Sequence, residues 1–179
     1  MIGNDVVDLH LAQSQSNWER KGFLEKIFTK NEQRLIHTSN QSHQLVWRLW
    51  TMKESVYKVV VQQEKERFFN PQKFECHIES DSFGHVVFNG EIYKTFTEQN
   101  EDYIYSTTSK ANQTCFYQLG SMENRINTMS KRLGLQKSEI SVRKDSLGIP
   151  NVYHSGQRIT KSMSITNHGR FEALQFEIL

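Results

Sequence analysis

The stretch from Leu45 to Val61 constrains the fold of this chain more than any other segment. At about 100° per residue, its apolar side chains fall into two stripes of a single helix. One stripe consists of Leu45, Leu49, Met52, Val56 and Val60, and the other consists of Trp47, Trp50, Tyr57 and Val61. The pattern therefore predicts a helix with only a narrow solvent-facing sector, formed by Gln44, Arg48, Thr51 and Ser55.

One carboxylate falls within the second stripe. Glu54 lies between the aromatic side chains, where a buried carboxylate is unfavourable unless a positive group compensates it. Lys58 follows one turn later, close enough for the two side chains to meet. Two interpretations follow. Glu54 and Lys58 form a structural ion pair at the edge of a core, or Glu54 holds a hard cation while Lys58 is directed at a phosphate bound to that cation.

Length and charge bound the class of protein. The 179 residues suffice for one domain that spans residues 1–179 and buries a substantial core. A formal net charge of +2 without Lys/Arg runs argues against a nucleic-acid partner. No apolar run approaches the ~20 residues that span a bilayer, and the N-terminus lacks the pattern of a secretory signal. We therefore expect a cytoplasmic protein with reduced cysteines and no membrane role of its own.

The first nine residues predict a short strand in which β-branched residues surround two acids, Asp5 and Asp8. The two acids face opposite sides of a regular strand. Asp8 can instead cap the turn that follows, and both acids can simply face water. Gly3 would let a ligand or another backbone approach the strand closely.

The other segments alternate between helical and strand patterns. A helix is predicted over residues 18–28, and the capping-box spacing of Thr29 and Glu32 predicts the start of a second helix. Period-two alternation over residues 74–117 predicts an antiparallel meander. A further helix is predicted from Ser121 to Leu133, and residues 162–179 are predicted to form a closing hairpin with a turn at residues 167–169.

Three segments carry a family resemblance: the strand from Ile2 to Leu9, the helix pair from Phe23 to Glu32, and the stretch from Trp50 to Lys58. The last has the form aromatic-x-x-Lys-Glu-small-x-x-Lys. Together they resemble the 4'-phosphopantetheinyl transferase superfamily, in the motif order of the short holo-acyl-carrier-protein synthases. The likeness is strongest over residues 1–61 and returns over residues 140–176. It implies an α+β fold with a bent, mainly antiparallel sheet and helices packed on one side.

The resemblance also implies a site. Asp5 and Glu54 would bind Mg²⁺ against the pyrophosphate of coenzyme A, and Lys58 would be a phosphate ligand and candidate proton donor. Mg²⁺ suits such a site because it prefers a few carboxylates completed by water and phosphate oxygens. The residues that the resemblance assigns to coenzyme binding are Lys53, Lys58, Pro150, Ser164, Thr166, Asn167 and His168.

The family's reaction is attack by a carrier-protein serine hydroxyl on the phosphate next to pantetheine, with 3',5'-ADP as the leaving group. Glu54, or a water on the metal, would take the serine proton. The partner would be an acyl or peptidyl carrier protein, and short members of the family lead us to expect a homo-oligomer, a trimer or a dimer. Exposed basic residues would form the surface that docks an acidic carrier protein: Arg20, Lys21, Lys26, Lys30 and Arg34.

Two places differ from the family pattern. The family commonly has Gly-Lys-Pro where this chain has Gly148-Ile149-Pro150, so a coenzyme-binding lysine is replaced. The missing charge could come from one of three other residues: Arg143, Lys144 or Lys161. The family also has Ser-x-Ser-His where this chain has Ser164-Ile165-Thr166-Asn167. Either Asn167 takes the place of the histidine, or a bulge brings His168 there. A non-catalytic, carrier-protein-binding paralogue with weakened coenzyme A binding is therefore the alternative to an active transferase.

Overall fold

A computed structural model describes residues 1–108, 114–118 and 123–179 of the chain, and its helices and strands make an α+β fold with antiparallel sheets. The helices are α1 (Leu9–Gln15), α2 (Phe23–Ile27), α3 (Lys30–Thr38), α4 (Ser42–Glu64) and α5 (Glu123–Leu133). The strands are β1 (Asn4–Asp8), β2 (Glu75–Ile78), β3 (Phe83–Phe88), β4 (Glu91–Gln99), β5 (Tyr103–Thr107), β6 (Thr114–Gln118), β7 (Ile140–Lys144), β8 (Pro150–His154), β9 (Gln157–Arg158), β10 (Thr160–His168) and β11 (Phe171–Ile178).

The strands form a five-stranded sheet and two three-stranded sheets, and every strand pairing is antiparallel. The five-stranded sheet has the order β1-β5-β4-β3-β2, so β1 lies at its edge. The predicted meander is confirmed for β2 to β5, but the prediction is wrong for β6, which pairs with β11 in the sheet β10-β11-β6. The predicted closing hairpin is confirmed as β10 and β11.

Helix α4 is confirmed, but its predicted solvent sector is wrong. Arg48, Thr51 and Ser55 are buried because this side of the helix faces the five-stranded sheet. The Thr51 hydroxyl contacts the Ser106 hydroxyl of β5 at 2.8 Å. Gly3 lies so close to the helix that a Cβ there would collide with the carbonyl oxygen of Ser55. Small and polar side chains therefore let strands β1 and β5 approach α4 closely.

The opposite side of α4 is its less buried side. Trp50, Glu54, Tyr57 and Lys58 are all partly exposed and line cavities, and Trp50 and Tyr57 also pack against the core. The second apolar stripe of the sequence, with Glu54 inside it, is thus the wall of a set of cavities. No helix among the described residues is long and apolar enough to cross a bilayer.

Local capping signals account for the short helices. The predicted capping box of Thr29 and Glu32 is confirmed by both of its hydrogen bonds. The helix predicted over residues 18–28 is restricted to α2, because Gly22 adopts a left-handed backbone with φ of 85° immediately before it. Helix α1 was not predicted, and it begins where the Asp8 carboxylate accepts from the amides of His10 and Leu11. The predicted start of α5 at Ser121 lies outside the described residues.

Candidate active site

Strand β1 is held between two sheets by an unusual set of hydrogen bonds. One edge of β1 pairs with the backbone of β5. Along the other edge, every second backbone amide donates to a side chain of β10 and not to the backbone of β10. The four donor and acceptor pairs, each 160 residues apart, are Ile2 to Ser162 (2.8 Å), Asn4 to Ser164 (3.1 Å), Val6 to Thr166 (3.2 Å) and Asp8 to His168 Nδ1 (2.9 Å). The amides that a sheet edge would leave unpaired are thereby satisfied, and the position of Asp5 along the strand is fixed.

This arrangement gives a structural role to two of the β10 residues that the family resemblance assigned to the coenzyme. The Ser164 hydroxyl donates to Asn4 Oδ1 at 2.7 Å, and the Thr166 hydroxyl donates to Asp5 Oδ1 at 2.8 Å. Both hydroxyls also accept from β1 amides, so Ser164 and Thr166 hold β1 and Asp5 in place. Coenzyme contact by the two residues stays a prediction, and Ser164 lines a cavity together with Lys58.

Of the two alternatives for Asn167 and His168, the one that requires a bulge is wrong. The pairing of β10 with β11 is continuous from Ser162 to His168, and its irregularity lies earlier, between Thr160 and Ser162. Asn167 and His168 nevertheless line the same cavity as Asp5. Since Nδ1 of His168 accepts the Asp8 amide, Nε2 carries the proton of the neutral ring.

Asp5 is the carboxylate with the more ordered surroundings. It is 9% exposed, and its Oδ1 accepts from Lys58 Nζ at 3.0 Å as well as from Thr166. Lys58 Nζ also donates to the carbonyl oxygen of Asn4 at 2.7 Å. The ion pair of Lys58 is therefore with Asp5, from an element 53 residues away, and the predicted pair of Lys58 with Glu54 does not form.

Glu54 stands beside this pair without a partner of its own. Among the hydrogen bonds and ion pairs of the described residues, none involves the Glu54 carboxylate. The pKa of Glu54 is raised from 4.5 to about 7: burial is the largest cause, the charge of Asp5 acts in the same direction, and the charge of Lys58 opposes them in part. An uncompensated carboxylate whose ionisation is disfavoured by a second carboxylate nearby is a suitable setting for a divalent cation.

The donor set fits Mg²⁺ better than a metal that needs many protein ligands. The described residues contain no group of three or more His, Cys, Asp or Glu side chains arranged around a common metal position. Asp5 and Glu54 would supply two carboxylates, and water or phosphate oxygens would complete the coordination that Mg²⁺ prefers.

Asp8 has a structural position. Its carboxylate begins α1 and accepts from the Arg170 side chain, with Oδ2 at 2.9 Å from Nε and Oδ1 at 3.0 Å from a terminal nitrogen. Arg170 holds the pKa of Asp8 well below its usual range. Since both oxygens are occupied, Asp8 is not part of the site of Asp5 and Glu54.

Contacts within the protein fix the position of the Lys53 side chain. Its side chain is 2% exposed, and Nζ pairs with Glu32 Oε1 at 2.8 Å and donates to the carbonyl oxygens of Pro71 and Phe74. Glu32 in turn accepts from the amide of Cys76 at 2.8 Å. The enclosed ammonium group argues against the coenzyme-binding role expected for Lys53, and its pair with Glu32 joins α4 to α3.

Three adjoining cavities surround the candidate site. The basic cavity, of about 240 Å³, is lined by Tyr57, Lys58, Val61, Gln62, Arg67, Lys144, Leu147, Gly148, Ile149, Pro150, Met163, Ser164 and Ile165. The aspartate cavity, of about 280 Å³, is lined by Asp5, Val6, Val7, Ser16, Phe23, Ile27, Trp47, Trp50, Asn167 and His168. The aromatic cavity, also of about 280 Å³, is lined by Trp50, Lys53, Glu54, Tyr57, Phe68, Phe69, Asn70, Pro71 and Phe74.

Shared walls connect these cavities. Trp50 belongs to the aspartate and aromatic cavities, and Tyr57 belongs to the aromatic and basic cavities. Asp5, Glu54 and Lys58 each line a different one of these three cavities. All three come from one chain.

Arg67 is a cavity residue that no sequence pattern indicated. It lies in the polar run after α4 and lines the basic cavity together with Lys144, Ile149 and Pro150. Its Nε donates to the carbonyl oxygen of Leu147 at 2.6 Å. No local pattern marks this role, because the partner of Arg67 is 80 residues away in sequence.

A match to a family model identifies the family of this chain. The family model of the 4'-phosphopantetheinyl transferase superfamily matches residues 1–113, which include α4 and the residues Asp5, Glu54 and Lys58. Among solved structures, the holo-[acyl-carrier-protein] synthase of Thermotoga maritima is similar, with 13% sequence identity and a TM-score of 0.40. That comparison covers 88% of this chain and 83% of that chain. No curated protein matches the sequence.

Proposed function

This chain belongs to the 4'-phosphopantetheinyl transferase superfamily, and we propose from that premise that it is an active, Mg²⁺-dependent transferase. It moves the 4'-phosphopantetheine group of coenzyme A to a serine of an acyl or peptidyl carrier protein and releases 3',5'-ADP. The observation that carries the proposal is the unpaired Glu54 carboxylate beside the Asp5–Lys58 pair. An uncompensated carboxylate in the half-buried wall of a cavity destabilises the fold, and a bound cation would supply the missing positive charge.

Asp5 and Glu54 are the proposed ligands of the metal. Bound Mg²⁺ would neutralise charge on the diphosphate and on the phosphoryl group being transferred. Thr166 and Lys58 orient Asp5 before a metal ion binds. Both of them contact Oδ1 of Asp5, and neither contacts Oδ2. A preoriented carboxylate does not have to be ordered when the substrate arrives.

The proton transfers are assigned to Glu54 and Lys58. In the protein without metal, a pKa of about 7 leaves the Glu54 carboxyl about half protonated at neutral pH, and a bound cation would favour its ionised form, which can accept a proton. We assign to Glu54 the acceptance of the serine hydroxyl proton. Lys58, whose ammonium lines the basic cavity, is assigned contact with the coenzyme phosphate and donation of a proton to the leaving group.

The position of the acceptor follows from the exposed basic residues. Phe23 and Ile27 of α2 line the aspartate cavity, and exposed basic residues surround this part of the chain. They are Arg20, Lys21, Lys26, Lys30 and Arg34. An acidic carrier protein that contacts this surface would bring its serine to the Asp5 side of the site, while coenzyme A occupies the Lys58 side.

The test is transfer to a panel of apo carrier proteins, followed by mass spectrometry. Wild-type protein should add the mass of phosphopantetheine only when coenzyme A and Mg²⁺ are both present. Glu54→Ala should abolish the addition, whereas Glu64→Ala, on the exposed end of the same helix, should not affect it. If the wild type binds both coenzyme A and a carrier protein but modifies none, the non-catalytic alternative is the correct one.

A further inference from the structure

The basic cavity is lined by cations, two of which have no ion pair with Asp5 or Glu54. Three cationic residues line it: Lys58, Arg67 and Lys144. None of its lining residues in the described part of the chain is acidic. Lys58 is already paired with Asp5, but no ion pair of the described residues involves Arg67 or Lys144. The cavity therefore presents two uncompensated cations to whatever binds there.

Arg67 is fixed against the turn in which the family pattern has its lysine. The guanidinium donates from Nε to Leu147 O, and it lies so close to Gly148 that a Cβ on Gly148 would collide with its terminal nitrogen. Gly148 also has a φ of 75°, which disfavours other residues. Arg67 thus occupies the space beside Ile149, the residue that replaces the lysine.

The turn itself keeps its acidic residue out of the cavity. Asp145, which follows Lys144, is not a lining residue, and its Oδ1 accepts from the amides of Leu147 and Ile149 at 2.9 Å each. The carboxylate is therefore used to close the turn. Lys144, at the end of β7, extends into the cavity without an acidic partner among the described residues.

Lys58 and Arg67 are held at different points of the cavity wall. Lys58 Nζ contacts Asp5 and the carbonyl oxygen of Asn4, whereas Arg67 Nε contacts the carbonyl oxygen of Leu147. The two residues also come from different parts of the chain, since α4 ends at Glu64 between them. A ligand with phosphates at two separate positions suits this arrangement, and coenzyme A carries a diphosphate and a second phosphate on the ribose 3' oxygen.

We propose that Arg67 and Lys144 form a subsite for the ribose 3'-phosphate of coenzyme A, with Arg67 supplying from the end of α4 the charge that Ile149 lacks. The inference rests on the proposed function, since it assumes that coenzyme A is the donor. It adds a specificity: the protein distinguishes coenzyme A from dephospho-coenzyme A. Of the three replacements expected for the missing lysine, Lys144 lies in this cavity. Lys161 instead pairs with Glu177 at 3.5 Å, and Arg143 lies over the ring of Tyr153.

Isothermal titration of coenzyme A and dephospho-coenzyme A, each with Mg²⁺, tests the subsite. Wild-type protein should bind coenzyme A at least about tenfold more tightly, because a charge-assisted phosphate contact contributes about ten- to a hundredfold in affinity. Arg67→Gln and Lys144→Gln should each remove much of this preference by weakening coenzyme A binding and leaving dephospho-coenzyme A binding unchanged. Lys161→Gln, which makes the same change of charge outside the cavity, should leave both affinities unchanged.

A second variant tests the geometry. Gly148→Ala keeps all the charges but displaces the Arg67 guanidinium, so it should weaken coenzyme A binding as Arg67→Gln does, with no further loss in the double variant. Circular dichroism and thermal unfolding would confirm that each variant is folded. The subsite is refuted if wild-type protein does not discriminate between the two coenzymes, or if Arg67→Gln weakens both to the same extent. Discrimination without transfer to any carrier protein would leave the subsite standing and refute the proposed catalysis.

Discussion

Replacing Glu54 with glutamine should make the metal-free protein more stable at pH 8. Burial and the charge of Asp5 raise the pKa of Glu54 from 4.5 to about 7, so the folded protein holds this proton more tightly than the unfolded chain does. Glutamine has nearly the same shape and no charge to bury. The variant should therefore keep the packing of α4 and lose the electrostatic cost.

The sign and size follow from linkage. Below pH 4.5 the carboxyl is protonated in both states, and it does not oppose folding. As the pH rises from about 4.5 through about 7, the unfolded chain ionises first and the wild-type protein loses stability. Each pKa unit corresponds to about 1.4 kcal/mol, so the full difference is about 3 kcal/mol, and residual solvent exposure reduces it to between about 1 and 3 kcal/mol.

Urea unfolding of wild type and Glu54→Gln at pH 4, 6 and 8, without divalent cations, measures this difference. The advantage of the variant should be near zero at pH 4 and complete at pH 8. Mg²⁺ should then stabilise the wild type and not the variant, which narrows the gap. Glu32→Gln is the matched control: this glutamate is paired with buried Lys53, so its loss should cost about 3 to 5 kcal/mol. Equal or lower stability of Glu54→Gln at pH 8 would refute the assignment of Glu54 as uncompensated.

Three further outcomes are expected. Mg²⁺ affinity, measured by calorimetry, should rise about tenfold between pH 6 and pH 8, because Glu54, with a pKa of about 7, must lose its proton to bind the ion. An affinity that does not change over this pH range would contradict Glu54 as a ligand. Thr166→Val removes the hydroxyl that fixes Asp5, so it should lower stability by about 1 to 2 kcal/mol and reduce transfer without abolishing it, whereas unchanged kinetics would refute a positioning role. Lys53→Met should lower the free energy of unfolding by about 3 to 5 kcal/mol because it leaves Glu32 buried and unpaired, and coenzyme affinity measured below the unfolding transition should be unaffected.

The sequence by itself determined the features that depend on neighbours along the chain. The periodicity from Leu45 to Val61 predicted α4 and placed Glu54 on one side of it, and the spacing of Thr29 and Glu32 predicted the start of α3. The N-terminal strand with Asp5 was likewise predicted. These features succeed because helix and strand periods fix which side chains share a face, whatever else the chain does.

Tertiary structure decided which of those side chains meet. Periodicity suggested Glu54 as the partner of Lys58. Because β1 packs against α4, Lys58 instead forms an ion pair with Asp5, and Glu54 is left without a partner among the described residues. The family resemblance assigned polar residues of β10 to the coenzyme, and only the packing shows that these side chains also accept from the amides of β1, 160 residues earlier. Local patterns set the face that a residue occupies, but the charge, hydrogen bond or cavity opposite that face comes from distant segments, and only packing brings them together.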